Sequence, residues 1–345
     1  MPRIPIAVIG AGLVGRTHID RVLRQPELEL VGIADPSDDG RRLAESVGVR
    51  WFAETDALLA GTRPRGAVVA TPNATHAELT LRCLDRGAAV FVEKPIADTV
   101  ADARRMCDAA AAAGLPLMVG HQRRHNPIMR RAKAMIDAGR LGRPVCLTAM
   151  CTWFKPPGYF DTTWRREKGG GPILINLIHD VDQLRFLFGD VGEVQALASN
   201  AIRGYEVEDT VAVLLRFRNG ALGTITVSDT AVAPWNWDLA ASEAGRFPPQ
   251  DVASHFLSGT EGSLTLPRLE YWHYRGKKGW EDELTGERTA LHAGDPYAEQ
   301  MRQFAAVIDG REVPLCSGVD GMRSLEATLA VRTSADTGQP VRLES

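Results

Sequence analysis

Hydrophobic residues recur along this chain in two rhythms. In the first third, short unbroken apolar runs at residues 5–9, 30–34, 50–52, 67–70, 90–92 and 117–119 predict buried strands. Between them, residues 13–24, 38–47, 55–60, 75–86 and 100–113 repeat apolar side chains at helical spacing. Alternating strand and helix predict βαβ units around a parallel sheet covered on both faces. Six such strands fit a doubly wound α/β domain of the Rossmann type over residues 1–122. The alanine tract 109–113 closes the last of these helices, stopped by Gly114 and Pro116.

The rhythm changes near residue 122. One helix is predicted at 127–138, after which strand patterns dominate at 145–152, 194–199, 210–217, 221–228 and 263–266. Val211, Val213, Leu215 and Phe217 alternate with other residues, and Arg218-Asn219-Gly220 supplies the turn of an antiparallel hairpin. Further helices are predicted at 172–188, 297–308 and 321–337. Residues 123–345 thus read as an α+β domain on an open, mostly antiparallel sheet.

Composition narrows the chemistry. The chain has 345 residues, 44% hydrophobic and 24% charged, which excludes disordered, collagenous and disulfide-scaffold classes. A net charge of -3 from 40 basic and 43 acidic residues gives no reason to expect nucleic acid. No apolar run approaches the ~20 residues of a membrane span. The apolar N-terminal run is broken by Gly10, Gly12 and Gly15, which argues for a structural turn and against a secretory signal. Cysteines at 83, 107, 146, 151 and 316 are odd in number and contain no CxxC. They predict buried thiols in a reducing, cytoplasmic setting, with no zinc site and no required metal. The expected partner is a small molecule.

Gly10-Ala11-Gly12-Leu13-Val14-Gly15 is GxGxxG, placed where a strand ends and a helix opens. In that context the first glycine permits the tight turn, the second lets backbone approach a pyrophosphate, and the third lets helix pack on strand. Asp35 follows Gly15 by 20 residues, at the end of the second strand. A carboxylate there accepts hydrogen bonds from the adenosine ribose and repels a 2′-phosphate, which favours NAD over NADP. Arg41 and Arg42, just downstream, are the residues that would reach such a phosphate. Two more strand ends carry polar clusters: Thr71-Pro72-Asn73 with His76, and Glu93-Lys94-Pro95. Ligands of open α/β sheets sit beyond such ends, so these residues are candidates for the cofactor site. Pro95 favours an extended Lys94, aimed into the cleft. A cationic nicotinamide nearby would lower the lysine pKa towards working pH.

GxGxxG at 10–15, TPN..H at 71–76, EKP at 93–95 and GGG…H..D at 169–182 together resemble the Gfo/Idh/MocA family, which includes glucose–fructose oxidoreductase and inositol dehydrogenase. The resemblance spans essentially the whole chain. It implies hydride transfer between NAD(P) and a hydroxyl or carbonyl carbon of a sugar, polyol or related ring. It further implies that Lys94 is catalytic, and that homodimers or homotetramers form through the open sheet.

The helix after Gly169-Gly170-Gly171 is mostly apolar, yet at ~100° per residue Asn176, His179, Asp180 and Gln183 fall on one stripe. His179 stands at the family's histidine position and is the natural proton carrier. The resemblance implies an Asp one turn before it; this chain has Ile175, with Asn176 beside it. Asn176 can orient a hydroxyl but cannot accept a proton at neutral pH. The expectation is that Lys94 and His179 converge on the substrate and share the acid–base work. Arg123 and His125, in the run that closes the sixth strand, and Trp164 with Arg165, ahead of the glycines, are further substrate-binding candidates. Such cations suit an anionic or strongly hydroxylated substrate. Residues 229–255, rich in Pro and Trp with weak periodicity, are expected to form a lid or subunit contact. Two alternatives remain beside an NAD-dependent sugar or polyol dehydrogenase. One is a cis-dihydrodiol dehydrogenase for a carboxylated cyclic diol; the other is a non-catalytic, NAD-sensing regulatory protein.

Overall fold

The computed structural model describes residues 2–243, 245–291 and 294–344. Ala244, inside the expected lid, and Met1 and Ser345, at the ends of the expected domains, lie outside the described residues. The chain begins with β1 (Ile4–Ile9), α1 (Leu13–Arg24), β2 (Leu28–Ala34), α2 (Asp38–Ser46), β3 (Trp51–Phe52) and α3 (Thr55–Thr62). It continues through β4 (Gly66–Val69), α4 (His76–Asp85), β5 (Ala89–Val92), α5 (Val100–Ala113) and β6 (Leu117–Val119). Next come α6 (Pro127–Asp137), β7 (Pro144–Thr152), α7 (Ile178–Phe188), β8 (Val191–Ser199), β9 (Thr210–Phe217) and β10 (Leu222–Ser228). The remainder is α8 (Trp237–Ala240), β11 (His255–Gly259), β12 (Ser263–Leu266), β13 (Glu270–Tyr274), β14 (Leu284–Arg288), α9 (Pro296–Ile308), α10 (Gly318–Thr337) and β15 (Val341–Arg342).

Two compact units result: Met1–His125 with Asp295–Leu325, and Asn126–Gly294 with Glu326–Ser345. In the first, six parallel strands lie in the order β3-β2-β1-β4-β5-β6. This is the doubly wound dinucleotide order, whose strand order reverses next to β1. Strands β4, β5 and β6 are buried along their whole length, which is why they read as continuous apolar runs. The division differs from a single boundary after residue 122, because 295–325 returns to the first unit. Met301, Phe304 and Ala305 of α9 join Ile6, Val8 and Phe91 in one core. The Cys316 carbonyl accepts the Val119 amide at 2.9 Å, alongside β6. Periodicity identifies α9 as an amphipathic helix, but it carries no information on which core receives its apolar face.

The second unit holds nine strands in the order β14-β13-β12-β11-β7-β10-β9-β8-β15. Of its pairings only β7 with β10 is parallel among the described residues. The β9–β10 hairpin turns at Gly220, which has φ of 90°. Val211, Val213, Leu215 and Phe217 face inward onto Leu177, Val181, Leu184 and Phe188. The opposite face leaves Leu197, Leu214, Leu222, Phe256 and Trp272 exposed. Strands β13 and β14 escape sequence reading because edge segments such as Leu-Thr-Gly-Glu-Arg lack an apolar period.

The lid expectation for 229–255 is corrected. Trp237 is fully buried in the core of this unit. Asn236 accepts the Leu239 amide at 3.0 Å, capping α8, and donates to the Thr152 carbonyl at 3.3 Å. Asp229 is buried as well, so the segment is pinned at several points.

The return of 295–325 gives a stability test. Phe304 is fully buried and meets Phe91 edge-on at 5.9 Å between centroids. Phe304→Ala is expected to cost about 3–5 kcal/mol. Denaturant unfolding checks this, and an unchanged midpoint would contradict the packing described.

Candidate active site

The chain turns after β1 at Gly10, whose φ of 96° strains any side chain. A Cβ there would lie 2.5 Å from the Ala70 carbonyl oxygen, and one on Gly15 2.1 Å from the Gly10 carbonyl oxygen. A Cβ on Gly12 would meet nothing within 4 Å. The loop is thus tightly packed on its sheet side and open at Gly12. Gly12 is also the N-cap of α1, with no side chain capping the helix and no acidic residue in its first turn. The amides of Leu13, Val14 and Gly15 and the positive end of the helix dipole therefore form a cradle for a pyrophosphate.

Asp35 is half-buried at the end of β2. Its Oδ2 accepts the Ala11 amide at 2.7 Å and its Oδ1 accepts the Ser37 amide at 2.9 Å and the Ser37 hydroxyl. Burial works against its charge, but these hydrogen bonds and nearby Arg16 hold the carboxyl below its ordinary range. It is anionic at neutral pH. Arg41 is engaged with Asp38 at 3.3 Å and Arg42 with Asp39, so both cations are matched within α2. Open Gly12, uncapped amides and an ionised Asp35 fit NAD better than NADP.

Beyond β4, Thr71 accepts the Thr75 hydroxyl at 2.7 Å, and Asn73 begins a short 3-10 turn after Pro72. Thr71, Pro72 and Asn73 remain at the surface of this end. His76 does not: it is fully buried, with Nδ1 2.8 Å from the Pro95 carbonyl oxygen and Nε2 2.9 Å from that of Thr71. The expectation that His76 touches the cofactor is corrected, since both nitrogens bridge the loops after β4 and β5.

Glu93 is corrected in the same sense. Its buried carboxylate accepts His18 Nε2 at 2.6 Å through Oε1 and the Lys94 amide at 3.1 Å through Oε2. Burial would raise the Glu93 pKa, but the hydrogen bond and charge of His18, with Lys94, hold it below its ordinary value. His18 lies on α1, three residues after Gly15, and is fully buried. The strand end bearing Lys94 is therefore tied to the helix whose N-terminus forms the phosphate cradle. Lys94 itself is half-buried.

Arg123 and His125 are buried in the first unit, where His125 Nε2 lies 2.9 Å from Gln303 Oε1. In the second unit, Arg165 donates to the Tyr159 carbonyl at 2.7 Å and lies over the Tyr159 ring at 4.0 Å. Exposed Trp164 lies beside the same guanidinium, 5.4 Å away.

The helix carrying His179 is not α-helical throughout. Residues Ile173–Leu177 form a π turn ahead of α7, and Ile173 donates its amide to Glu208 at 3.1 Å. A π turn takes an extra residue, so the angular stripe expected from uniform 3.6 periodicity is broken. Asp180 and Gln183 point inward and are fully buried. Asp180 Oδ1 lies 3.2 Å from His255 Nε2, and Gln183 donates to Met129 Sδ at 3.3 Å. These two members of the polar stripe find their partners inside the unit. His179 stays partly open.

Sequence reasoning missed the group beside Asn176. Lys155 is buried, and its Nζ donates to Asn176 Oδ1 at 2.8 Å. Asp229 lies 3.7 Å from the same Nζ and is shared with Arg203 at 3.0 Å. Burial holds the Lys155 pKa below the ordinary lysine range, opposed by Asp229, and burial raises that of Asp229. The available signal was Lys155-Pro156 shortly after a strand, the same pairing as Lys94-Pro95.

A doubly wound sheet with an uncapped, glycine-lined helix start and an ionised Asp35 has the features of a dinucleotide-binding unit. The description "Oxidoreductase family, NAD-binding Rossmann fold" matches residues 4–121, and "GFO/IDH/MocA C-terminal domain" matches residues 129–265. The chain belongs to the Gfo/Idh/MocA family and is an NAD-dependent oxidoreductase. It is 30% identical to 1,5-anhydro-D-fructose reductase of Ensifer adhaerens over 345 residues, covering 98% of each chain. It is 25% identical to scyllo-inositol 2-dehydrogenase (NAD(+)) of Bacillus subtilis, over 99% of this chain and 97% of that one. Among solved structures, the WlbA dehydrogenase of Bordetella pertussis, in complex with NADH and UDP-GlcNAcA, superposes with a TM-score of 0.81 at 26% identity, over 99% of each chain.

Asp35→Asn removes the charge and preserves the shape. The ratio of kcat/KM with NAD to that with NADP is expected to fall by about tenfold, ~1.4 kcal/mol. Steady-state kinetics with both nucleotides measure it, and an unchanged ratio would remove Asp35 from cofactor choice.

Proposed function

We propose that the protein oxidises a secondary alcohol, or reduces the corresponding ketone, on a sugar, polyol or related cyclic hydroxy compound. The carrying observation is the His18–Glu93–Lys94 connection, which fixes a lysine-bearing strand end to the helix that cradles the nucleotide. Bound NAD supplies a nicotinamide that accepts or returns hydride. Lys94 takes the hydroxyl proton as hydride leaves carbon. His179, partly exposed on its own unit, is the second acid–base group of this reading. Asn176 orients a substrate oxygen, and Trp164 and Arg165 offer a ring face and a cation to a hydroxylated or anionic substrate. Arg123 and His125 belong to the wall that shapes the substrate's surroundings. Thr71, Pro72 and Asn73 border the cofactor.

A carboxylated cyclic diol is the second reading, favoured by Arg165 with its guanidinium stacked between Tyr159 and Trp164. Relatives named for inositols and an anhydro sugar favour the neutral polyol. We further propose a cytoplasmic setting, supported by the buried thiols of Cys83, Cys151 and Cys316, none of which is in a disulfide. No helix among the described residues is long and apolar enough to cross a membrane.

NAD reduction across sugars, polyols, sugar acids and carboxylated cyclic diols tests the activity. Lys94→Ala and His179→Ala are each expected to retain NAD binding and to lose about 10²–10⁴-fold in turnover. Full turnover in both would refute the roles given. NAD binding with no alcohol oxidised by the wild type would point to the regulatory alternative.

The uncovered face of the nine-stranded sheet supports assembly into a homodimer or homotetramer. Leu197 is 72% exposed and Leu214 55%, on a face also bearing Leu222, Phe256 and Trp272. An apolar face of this kind suits a self-complementary two-fold contact. Leu214→Glu is expected to shift the mass measured by light scattering towards the monomer, and a wild type that is already monomeric would exclude the contact.

A further inference from the structure

Asn176 is nine-tenths buried, and its one side-chain hydrogen bond among the described residues is the one received from Lys155. Lysine nitrogen is a donor with nothing to offer a second donor, so it must face the amide oxygen. That fixes which way the amide points. Oδ1 is consumed by Lys155, and Nδ2, with no partner among the described residues, is the atom left open. The flip of this amide is thus set by chemistry. Lys155 is itself held from three sides. Asp229 lies 3.7 Å away, the Tyr159 ring centroid 4.7 Å, and the Lys155 carbonyl accepts Arg203 at 2.8 Å. Arg203 in turn donates to the Asp229 carboxylate at 3.0 Å, and its backbone amide donates to the Asp209 carboxylate at 3.0 Å. Lys155 and Arg203 share the Asp229 carboxylate while Asp209 holds the Arg203 backbone, so the cluster braces Lys155 against Asn176 and leaves Nδ2 at its end.

We propose that Lys155 is a positioning residue that locks Asn176 as a donor-only contact, so that this point of the substrate site reads an oxygen with a lone pair to give: a carbonyl, ring, alkoxide-like or carboxylate oxygen. The proposal rests on the dehydrogenase reading above and deepens it. Directly beside Asn176, one turn before His179, stands Ile175, where the family resemblance implies a carboxylate, which would act only as an acceptor. The polarity demanded of the substrate is reversed. A charge-assisted bond into Oδ1 also polarises the amide and strengthens the donation from Nδ2.

The test uses the full-length protein with NAD and whichever panel compound the wild type turns over fastest. Lys155→Met, Lys155→Arg, Asn176→Asp and Asn176→Ala are compared for kcat and KM separately, with NAD affinity and thermal midpoint measured alongside. Lys155→Met is expected to raise the KM for the alcohol about tenfold or more, with NAD affinity unchanged, and Lys155→Arg to restore most of it. Asn176→Asp, which gives Lys155 an ion-pair partner but presents an acceptor, is expected to lose at least as much kcat/KM as Asn176→Ala. If Lys155→Met does not fold, the Asn176 pair and Lys155→Arg decide. Asn176→Asp outperforming Asn176→Ala, or a Lys155→Arg enzyme far below wild type in kcat with normal KM, would overturn the proposal. Wild-type KM in a folded Lys155→Met protein would overturn it while leaving the dehydrogenase reading intact. A wild type inactive on the whole panel would remove both.

Discussion

A buried carboxylate sets the geometry of the nucleotide half of this protein. Glu93 has one oxygen on His18 of α1 and the other on the Lys94 amide. Removing one partner of such a pair leaves an uncompensated charge in the interior, a loss of about 3–5 kcal/mol. That cost makes the arrangement stiff. The helix that opens at the glycine loop and the strand end that carries the proposed base cannot move independently without breaking it. His76 adds a second tie, between the loops after β4 and β5. The glycine loop, Asp35 and Lys94 therefore act as one preformed surface.

The second unit solves a related problem with more charge. A mostly apolar helix must carry an open histidine while its other polar side chains are paired inside the core. Asp180 is set against His255, and Gln183 against Met129. The π turn ahead of α7 absorbs the mismatch between these inward partners and the outward His179. A straight α-helix holding Asp180 and Gln183 inward would rotate the residues before them by a different amount. The π turn is how Asn176 reaches Lys155 from the same segment.

Much of this was legible in the chain. Unbroken apolar runs identified the parallel strands, and GxGxxG in strand–helix context identified the nucleotide site, because both depend on local pattern. Helices Leu13–Arg24 and Val100–Ala113 have clear starts and stops, the latter with Thr99 capping Asp102 and Gly114 in the left-handed region. What failed depended on partners distant in sequence. Nothing local says that His76 and Glu93 turn inward, because Pro95 and His18 are brought to them by the sheet. Nothing local assigns α9 to the first core. Uniform periodicity could not anticipate a π turn, so a stripe of four polar residues separated into two anchors, a buried Asn176 held by Lys155, and a partly exposed His179. Lys155 was invisible because its counter-charge Asp229, and Arg203 which shares that carboxylate, lie 74 and 48 residues further on.

The replacement of a helix carboxylate by Ile175 gains its meaning from Lys155. A chain that merely lost the acid would present an apolar gap beside His179, and proton transfer would fall to the histidine and Lys94 alone. Here the neighbouring amide is gripped by a cation that shares the Asp229 carboxylate with Arg203, so the gap is bordered by a fixed donor. A hydroxylated substrate is held by a different end of its hydrogen-bonding repertoire from one resting on an aspartate. Similarity to inositol and anhydro-sugar enzymes therefore carries over the hydride chemistry of the nucleotide half more securely than the choice of hydroxyl pattern, because the glycine loop with Asp35 and the Lys155–Asn176 pair belong to different compact units.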